Sequence, residues 1–424
     1  MDYAGNQDQR TEAAYGAIEQ AVRDSYGRLL AFLAARSRDV AGAEDALADA
    51  FKTAVETWPR MGVPEKPEAW LLVAARRKQV DMARHARVRL EAAPHLRAAA
   101  EEAYQITENS MRFPDDRLKL LFVCAHPAID VGARTPMMLQ TVLGLDAARI
   151  ASAFLVQPSA MGQRLTRAKA KIRASGLRFE LPEAKELPER LDAVLEAIYA
   201  AYGSGWDDVA GADSRRKGLA TEAISLGRLL VQLMPEEPEA KGLLALMLHC
   251  EARRNARRAE DGAYVPLLEQ DVALWSKETM EEAERWLRDA WRAKQPGPFQ
   301  FEAAIQSAHA QRASTGKTDW KVIALLYEGL VSLSPTIGAR VGQAAAVSEA
   351  HGPEKGWIVL QAISPDQVAN YQPYWALAAH LLAQMRRSPE AVAAYTRAIG
   401  LCEDHAMREF LRQRLQRLLE SSSS

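Results

Sequence analysis

Between Met161 and Arg178 the chain carries six basic residues and no acid. Met161, Leu165, Ala168 and Ile172 recur within it at spacings of four, three and four. The stretch therefore reads as a helix with one inward apolar stripe and a cationic remainder. Such a helix, entered from a tight turn, suits the major groove of duplex DNA: early side chains reach base edges and later cations neutralise phosphates. Gln163 has the donor and acceptor that adenine needs, and Arg164 or Arg167 the paired donors for guanine. Ser159 can cap the helix or touch a phosphate, and Lys169, Lys171 and Arg173 complete the cationic surface. The competing interpretation is a solvated basic helix on an ordinary bundle.

A second cluster runs from Trp70 to Arg89. Arg76, Arg77, Lys78, Arg84, Arg87 and Arg89 are broken only by Asp81, and Trp58, Arg60 and Met61 precede them. Cations beside aromatics suit a nucleic-acid strand whose bases have left the stack. The alternative for both tryptophans is the core.

Other chemistry finds little footing. His126 beside Cys124, and His249-Cys250, have no partner pair at ligand spacing and read as structural, so no metal or cofactor is expected. Gly203-Ser204-Gly205 lacks the lysine of a phosphate loop and reads as a turn between helices. No nucleophile motif occurs, and the chain is not expected to be an enzyme. The basic run Arg253-Arg254-Asn255-Ala256-Arg257-Arg258 reads as a solvated helix end.

The elements that must position these clusters are helices. Alternating β-branched runs are missing, and apolar spacing of three and four recurs nearly everywhere. Ala17 to Arg36 and Ala41 to Trp58 form two helices, a loop spans Pro59 to Lys66, and Pro67 opens a third. A linker is expected over 92–113. Helices then begin near Asp115 and at Thr135-Pro136, the latter ended by Gly144. Asp146 caps a short helix, Ala147 to Leu155. Val156-Gln157 turns, and Pro158-Ser159 opens the cationic helix, making a helix-turn-helix. After a second linker over 179–190, the triplets Ala283/Leu287/Ala290, Ile323/Tyr327/Leu330 and Ala391/Tyr395/Ala398 repeat the small-and-large packing code of tetratricopeptide helix pairs, irregularly spaced.

The 424 residues allow two to four domains. A net charge of −1 leaves any nucleic-acid site to local clustering. No apolar run is long enough to span a bilayer, Met1 to Asp8 lacks a signal-peptide pattern, and three scattered cysteines argue for a reducing cytoplasm.

The order of these pieces resembles a bacterial RNA polymerase sigma factor of the extracytoplasmic-function class. Ala43-Glu44-Asp45-Ala46-Leu47-Ala48-Asp49-Ala50-Phe51, Trp58-Pro59, Pro67-Glu68-Ala69-Trp70-Leu71 and Ala74-Ala75-Arg76-Arg77-Lys78-Gln79-Val80-Asp81 resemble the family's second conserved region. Leu121-Phe122-Val123-Cys124-Ala125-His126-Pro127-Ala128, Ile150 to Val156 and Met161 to Arg173 resemble its fourth. Leu187 to Leu191, Leu243 to Arg254, Pro296-Gly297-Pro298-Phe299-Gln300 and Thr318-Asp319-Trp320 are similar to the subgroup with a long tetratricopeptide-like extension.

The resemblance implies an all-α chain: a first sigma domain over 11–91, a helix-turn-helix domain over 114–178 and a divergent repeat domain over 191–420. It implies that the first domain binds core polymerase through Asp45 and Asp49, with Trp70, Arg76, Arg77 and Lys78 near the melted minus-ten strand. Ser159, Gln163, Arg164, Arg167, Lys169 and Lys171 would serve the minus-thirty-five element. Independently of the resemblance, divergent repeats make concave surfaces for partner helices, so the extension from about Glu186 onward is expected to dock on the two domains, control their spacing and take a regulatory protein or ligand. A helical-repeat scaffold whose sigma-like half no longer opens promoters is the alternative, motivated by Ala48 and Ala160.

Overall fold

Apolar spacing by three and four is realised as helix along the chain. The computed structural model describes residues 3–87, 116–154, 156–177, 179–183, 186–206 and 219–423. Among these the protein is all-α, with one isolated antiparallel bridge, Arg258 with Tyr264, and no strand. The linker expected over 92–113, Arg89 and Arg178 lie outside the described residues. The chain divides into two compact units, Met1–Leu226 and Gly227–Ser424.

In the first unit α1 (Tyr3–Ser37), α2 (Val40–Met61) and α3 (Pro67–Arg87) pack on one another. Ala43, Leu47, Ala50, Ala54 and Trp58 of α2 are buried, as one helical stripe requires. The Asp39 carboxylate caps α2, its Oδ1 accepting from the Gly42 N–H at 3.0 Å. The helix runs on through Pro59 instead of ending at Trp58. The hydrogen bond that Pro59 forgoes falls in the last turn, and the Gly62 N–H closes the helix on the Trp58 carbonyl at 2.9 Å.

Next come α4 (Arg117–Cys124), α5 (Val131–Leu143), α6 (Ala147–Ala153), α7 (Pro158–Ala174) and α8 (Leu187–Trp206). α8 packs on α4 and α5, and its buried Arg190 donates from Nη1 to the Phe122 carbonyl at 3.2 Å. Gly203-Ser204-Gly205 is not a turn: it lies inside α8, because glycine only weakens a helix and need not end one. α1 also packs on α4 and α5. Gly27 permits that approach, since a Cβ there would stand 1.7 Å from the Val142 carbonyl oxygen. Beside it, Gly144 ends α5 with φ 67° under the Tyr26 ring. The division between the units falls within α9 (Leu219–Leu233).

The second unit holds α10 (Pro238–Glu251), α11 (Lys277–Arg292), α12 (Pro298–Ala310), α13 (Arg312–Thr315), α14 (Trp320–Leu333), α15 (Ile337–His351), α16 (Pro353–Gln361), α17 (Pro365–Val368), α18 (Gln372–Gln384), α19 (Ser388–Leu401) and α20 (His405–Ser423). Neighbours in sequence pack together: α10 with α11 and α12, α14 with α15, α15 with α16, α18 with α19. Ala283, Leu287 and Ala290, and Ala391, Tyr395 and Ala398, are buried in these packings. The Pro296-to-Gln300 motif has a physical cause. Glu239 of α10 accepts the Phe299 and Gln300 N–H groups at the start of α12, at 2.9 and 3.1 Å. A Cβ on Gly297 would collide with that carboxylate.

The basic run is not a solvated helix end. Arg253 is buried and donates to the Gln306 side chain, Arg254 pairs with Glu251 at 2.7 Å, and Arg258 with Asp404 at 2.5 Å. Arginine stems lie along apolar surface while their heads meet partners up to 146 residues away, which no local pattern reveals.

His249 is buried, with Nε2 3.4 Å from the Glu284 carboxylate. Burial, and then the Arg253 charge, hold its pKa down at about 3; burial and the same arginine push His309 down to about 4. Both imidazoles stay neutral in the fold, whereas the unfolded chain takes up protons below the ordinary 6.5. Stability therefore falls as pH drops from that value, and the loss levels off only near the folded-state pKa values. In urea titrations of the full chain the midpoint should fall between pH 6.5 and 5.5, where ordinary carboxylates remain ionised. His249→Gln should flatten this slope; an unchanged slope would show that His249 does not cause it.

Candidate nucleic-acid interface

The helix-turn-helix is built by local chemistry. The Asp146 Oδ1 accepts from the N–H groups of Ala148 and Arg149 at 3.0 and 2.9 Å, opening α6. Pro158 is the first residue of α7. Met161, Leu165, Ala168 and Ile172 are buried. Ser159, Gln163 and Arg167, four residues apart, share the exposed face, and Lys171 is exposed on its flank. Ser159 does not cap the helix: Gln157 holds the cap position, and its side chain makes no capping bond.

Arg164 has a structural partner that the sequence reading did not anticipate. α5 begins at Val131, not at Thr135-Pro136, and Pro136 sits inside it. A proline there leaves the carbonyl four residues earlier, on Gly132, without its helical donor. Arg164 fills the gap, donating from Nη1 to the Gly132 oxygen at 3.2 Å. The guanidinium thus ties α7 to α5, with its other donors left for further contacts.

Two further cations of α7 meet carboxylates of the chain itself. Lys169 Nζ lies 2.8 and 2.5 Å from the Glu44 carboxylate oxygens, with both side chains about four-fifths buried. Arg173 Nε lies 3.4 Å from Asp39 Oδ1, nearer to solvent. Glu44 in turn adds to the burial that raises the Tyr26 pKa. Asp39 and Glu44 were missed as members of this site. They lie more than 120 residues from their partners, so no spacing in the sequence relates them.

On the other cluster the structure separates residues that the sequence grouped. Arg76 faces inward and is only 6% exposed, while Arg77 and Lys78 are exposed. Trp58 is core; Trp70 is half-buried and meets it edge-on, with ring centroids 5.4 Å apart. Between α2 and α3 lies a groove of about 560 Å³ lined by Asp49, Lys52, Trp70, Arg77, Lys78 and Asp81. Across it Lys78 Nζ reaches Asp49 Oδ2 at 2.8 Å. This bond and the lysine's charge hold the Asp49 carboxyl below the usual carboxylate range, and the reciprocal interaction raises Lys78. Asp45 stands exposed on the same helix.

Cys124 is fully buried, its thiol pushed up to about 12 by burial, with Sγ 3.6 Å from Thr141 Oγ1. Among the described residues no cluster of His, Cys, Asp and Glu could hold a metal ion, and no helix is long and apolar enough to cross a membrane.

Residues 190–291 match a family of unknown function, DUF6596. The chain as a whole is similar to the uncharacterized protein R00370 of Rhizobium meliloti (strain 1021), 37% identical over 407 residues that cover 95% of each chain. The protein belongs to the same family as that Rhizobium protein. No solved structure matches it. The DUF6596 match starts in α8, at the arginine bonded to Phe122, and runs through most of α11 in the second unit.

The Arg164–Gly132 bond makes a testable coupling. In the wild type Arg164→Ala should cost about 0.5–1.5 kcal/mol of folding stability. In a Pro136→Ala background the restored N–H serves the Gly132 carbonyl, and the cost should shrink. A double-mutant cycle by urea denaturation reads the coupling; additive effects would refute it.

Proposed function

We propose that this member of the family is a promoter-specificity subunit of RNA polymerase, a sigma factor resembling the extracytoplasmic-function class. The observation that carries the reading is the exposed Ser159–Gln163–Arg167 face on the second helix of a helix-turn-helix. It lies in the same unit as a three-helix module with Trp70, Arg77 and Lys78 on one groove. A base edge in the major groove would meet Gln163 and Arg167, phosphates would meet Lys171, and an unstacked base would find Trp70 beside cations. Asp45 and Asp49 would face core polymerase, which supplies the active site; the chain itself performs no covalent chemistry. It would act in the cytoplasm, where the polymerase is.

The repeat-like second unit is proposed to modulate this activity by taking a regulatory protein or ligand. α8 packs on α4 and α5, so a cut at Glu186 would strip a packed helix from the helix-turn-helix module.

A second reading, a scaffold that binds polymerase or DNA without opening promoters, draws support from the inward Arg76 and the Ala48 and Ala160 positions.

Purified chain added to core polymerase and a matching promoter should give a specific transcript. Polymerase binding without promoter opening would favour the scaffold, and neither would reject both. Gln163→Ala should cost roughly 1–3 kcal/mol and relax specificity at one base pair. Lys171→Ala should weaken binding evenly across sequences and reduce the salt slope by about one. Equal effects of the two substitutions would mean a phosphate rail without base reading.

A further inference from the structure

Helices of the second unit pack mainly on their neighbours in sequence. In such arrays each repeat touches only the next, and the two ends are left apart. One segment breaks that rule. Residues 253–275, between α10 and α11, form an ordered loop of a length that is uncommon in compact domains and usually functional. Its ends are drawn together, the Ser276 N–H donating to the Ala252 carbonyl at 2.8 Å. Its root is held from inside. Trp275 is buried, with the Arg253 and Arg312 guanidiniums 5.9 and 5.2 Å from its ring centroid. Arg312, on α13, also donates to the carbonyls of Leu268 and Gln270. The tip is a hairpin. The Val265 N–H meets the Arg257 carbonyl and the Ala259 N–H the Ala263 carbonyl, each at 3.0 Å, around Gly262 with φ 83°.

That tip lies on α20, which follows the last helix pair. Arg258 pairs with Asp404 at 2.5 Å and Glu269 with Arg414 at 2.9 Å. Tyr264 meets Phe410 edge-on, with ring centroids 5.4 Å apart. The paired residues are 146 and 145 residues apart in the chain, so the contacts join the two ends of the array and not neighbouring repeats.

We propose that residues 253–275 are a clasp: they tie the first helix pair of the second unit to α20, so that the two ends of the array loosen and tighten together. In an open array the curvature is set by small rotations that add from pair to pair. A clasp on both ends removes that freedom while it is shut. A partner that fits the closed array meets a preorganised surface, and one that needs a more open array must first break the two ion pairs. The clasp is built for opening at its tip. There the bonds to α20 are partly exposed ion pairs and one ring contact, whereas the root at Trp275 is buried.

The test is hydrogen exchange read by mass spectrometry on the full chain. Asp404→Asn with Glu269→Gln breaks the clasp; asparagine can still accept from the Met407 N–H, as Asp404 does at 2.7 Å. Exchange in 258–269 and in α20 should rise about threefold to tenfold. The deciding variant is Leu411→Ala, which loosens α20 at a buried position. With the clasp intact it should speed exchange in α10 as well, at the far end of the array. With the clasp broken, its effect on α10 should vanish. No effect on α10 in either background overturns the clasp. An equal effect in both backgrounds routes the coupling through the intervening helices and also overturns it. Either result leaves the promoter reading of the first unit as it stands.

Discussion

The first unit depends on one close approach. Gly27 has no side chain, and so α1 can lie with its backbone almost on the Val142 carbonyl of α5. Any Cβ would hold the three-helix module away from the helix-turn-helix module, since backbone cannot yield as a flexible side chain can. With the gap closed, Tyr26 stacks over Gly144, Arg36 meets Asp116, and α2 comes within ion-pair distance of α7. Lys169 and Glu44 follow from that approach, since neither residue has a local reason to find the other.

Polar bookkeeping explains the second layer. Pro136 leaves a carbonyl without its donor inside α5, and Arg164 supplies one from α7. In the second unit Glu239 collects the free N–H groups at the start of α12, and Gly297 clears the space for its carboxylate. Burial raises the Glu239 pKa and these hydrogen bonds oppose the rise. Both cases follow one rule: an unsatisfied backbone group near the interior is costly, so side chains from remote helices are recruited to it.

Periodicity made most of the fold legible. The stripes of α2 and α7, the Asp146 cap and Gly144 as terminator are all present where spacing placed them. The errors have local causes. Pro136 looked like a helix start because proline is favoured there, but an outside donor lets it sit mid-helix. Gly203 to Gly205 looked like a turn because glycine is common in turns, though packing carries α8 through it. Arg76 looked like a surface cation because its neighbours are, yet consecutive helical residues point about 100° apart and Arg76 points inward.

The amino-acid sequence by itself determined the all-helical class, the inward stripes and the concentration of cations on α3 and α7, because helix period and local charge are encoded within a few turns of chain. Only the tertiary structure decided which of those cations remain available. Arg77, Arg167 and Lys171 are exposed, whereas Lys169, Arg173 and Arg164 are engaged by oxygens brought from 32 to 134 residues away. An ion pair falls off with distance in space, and distance along the chain carries almost no information about that.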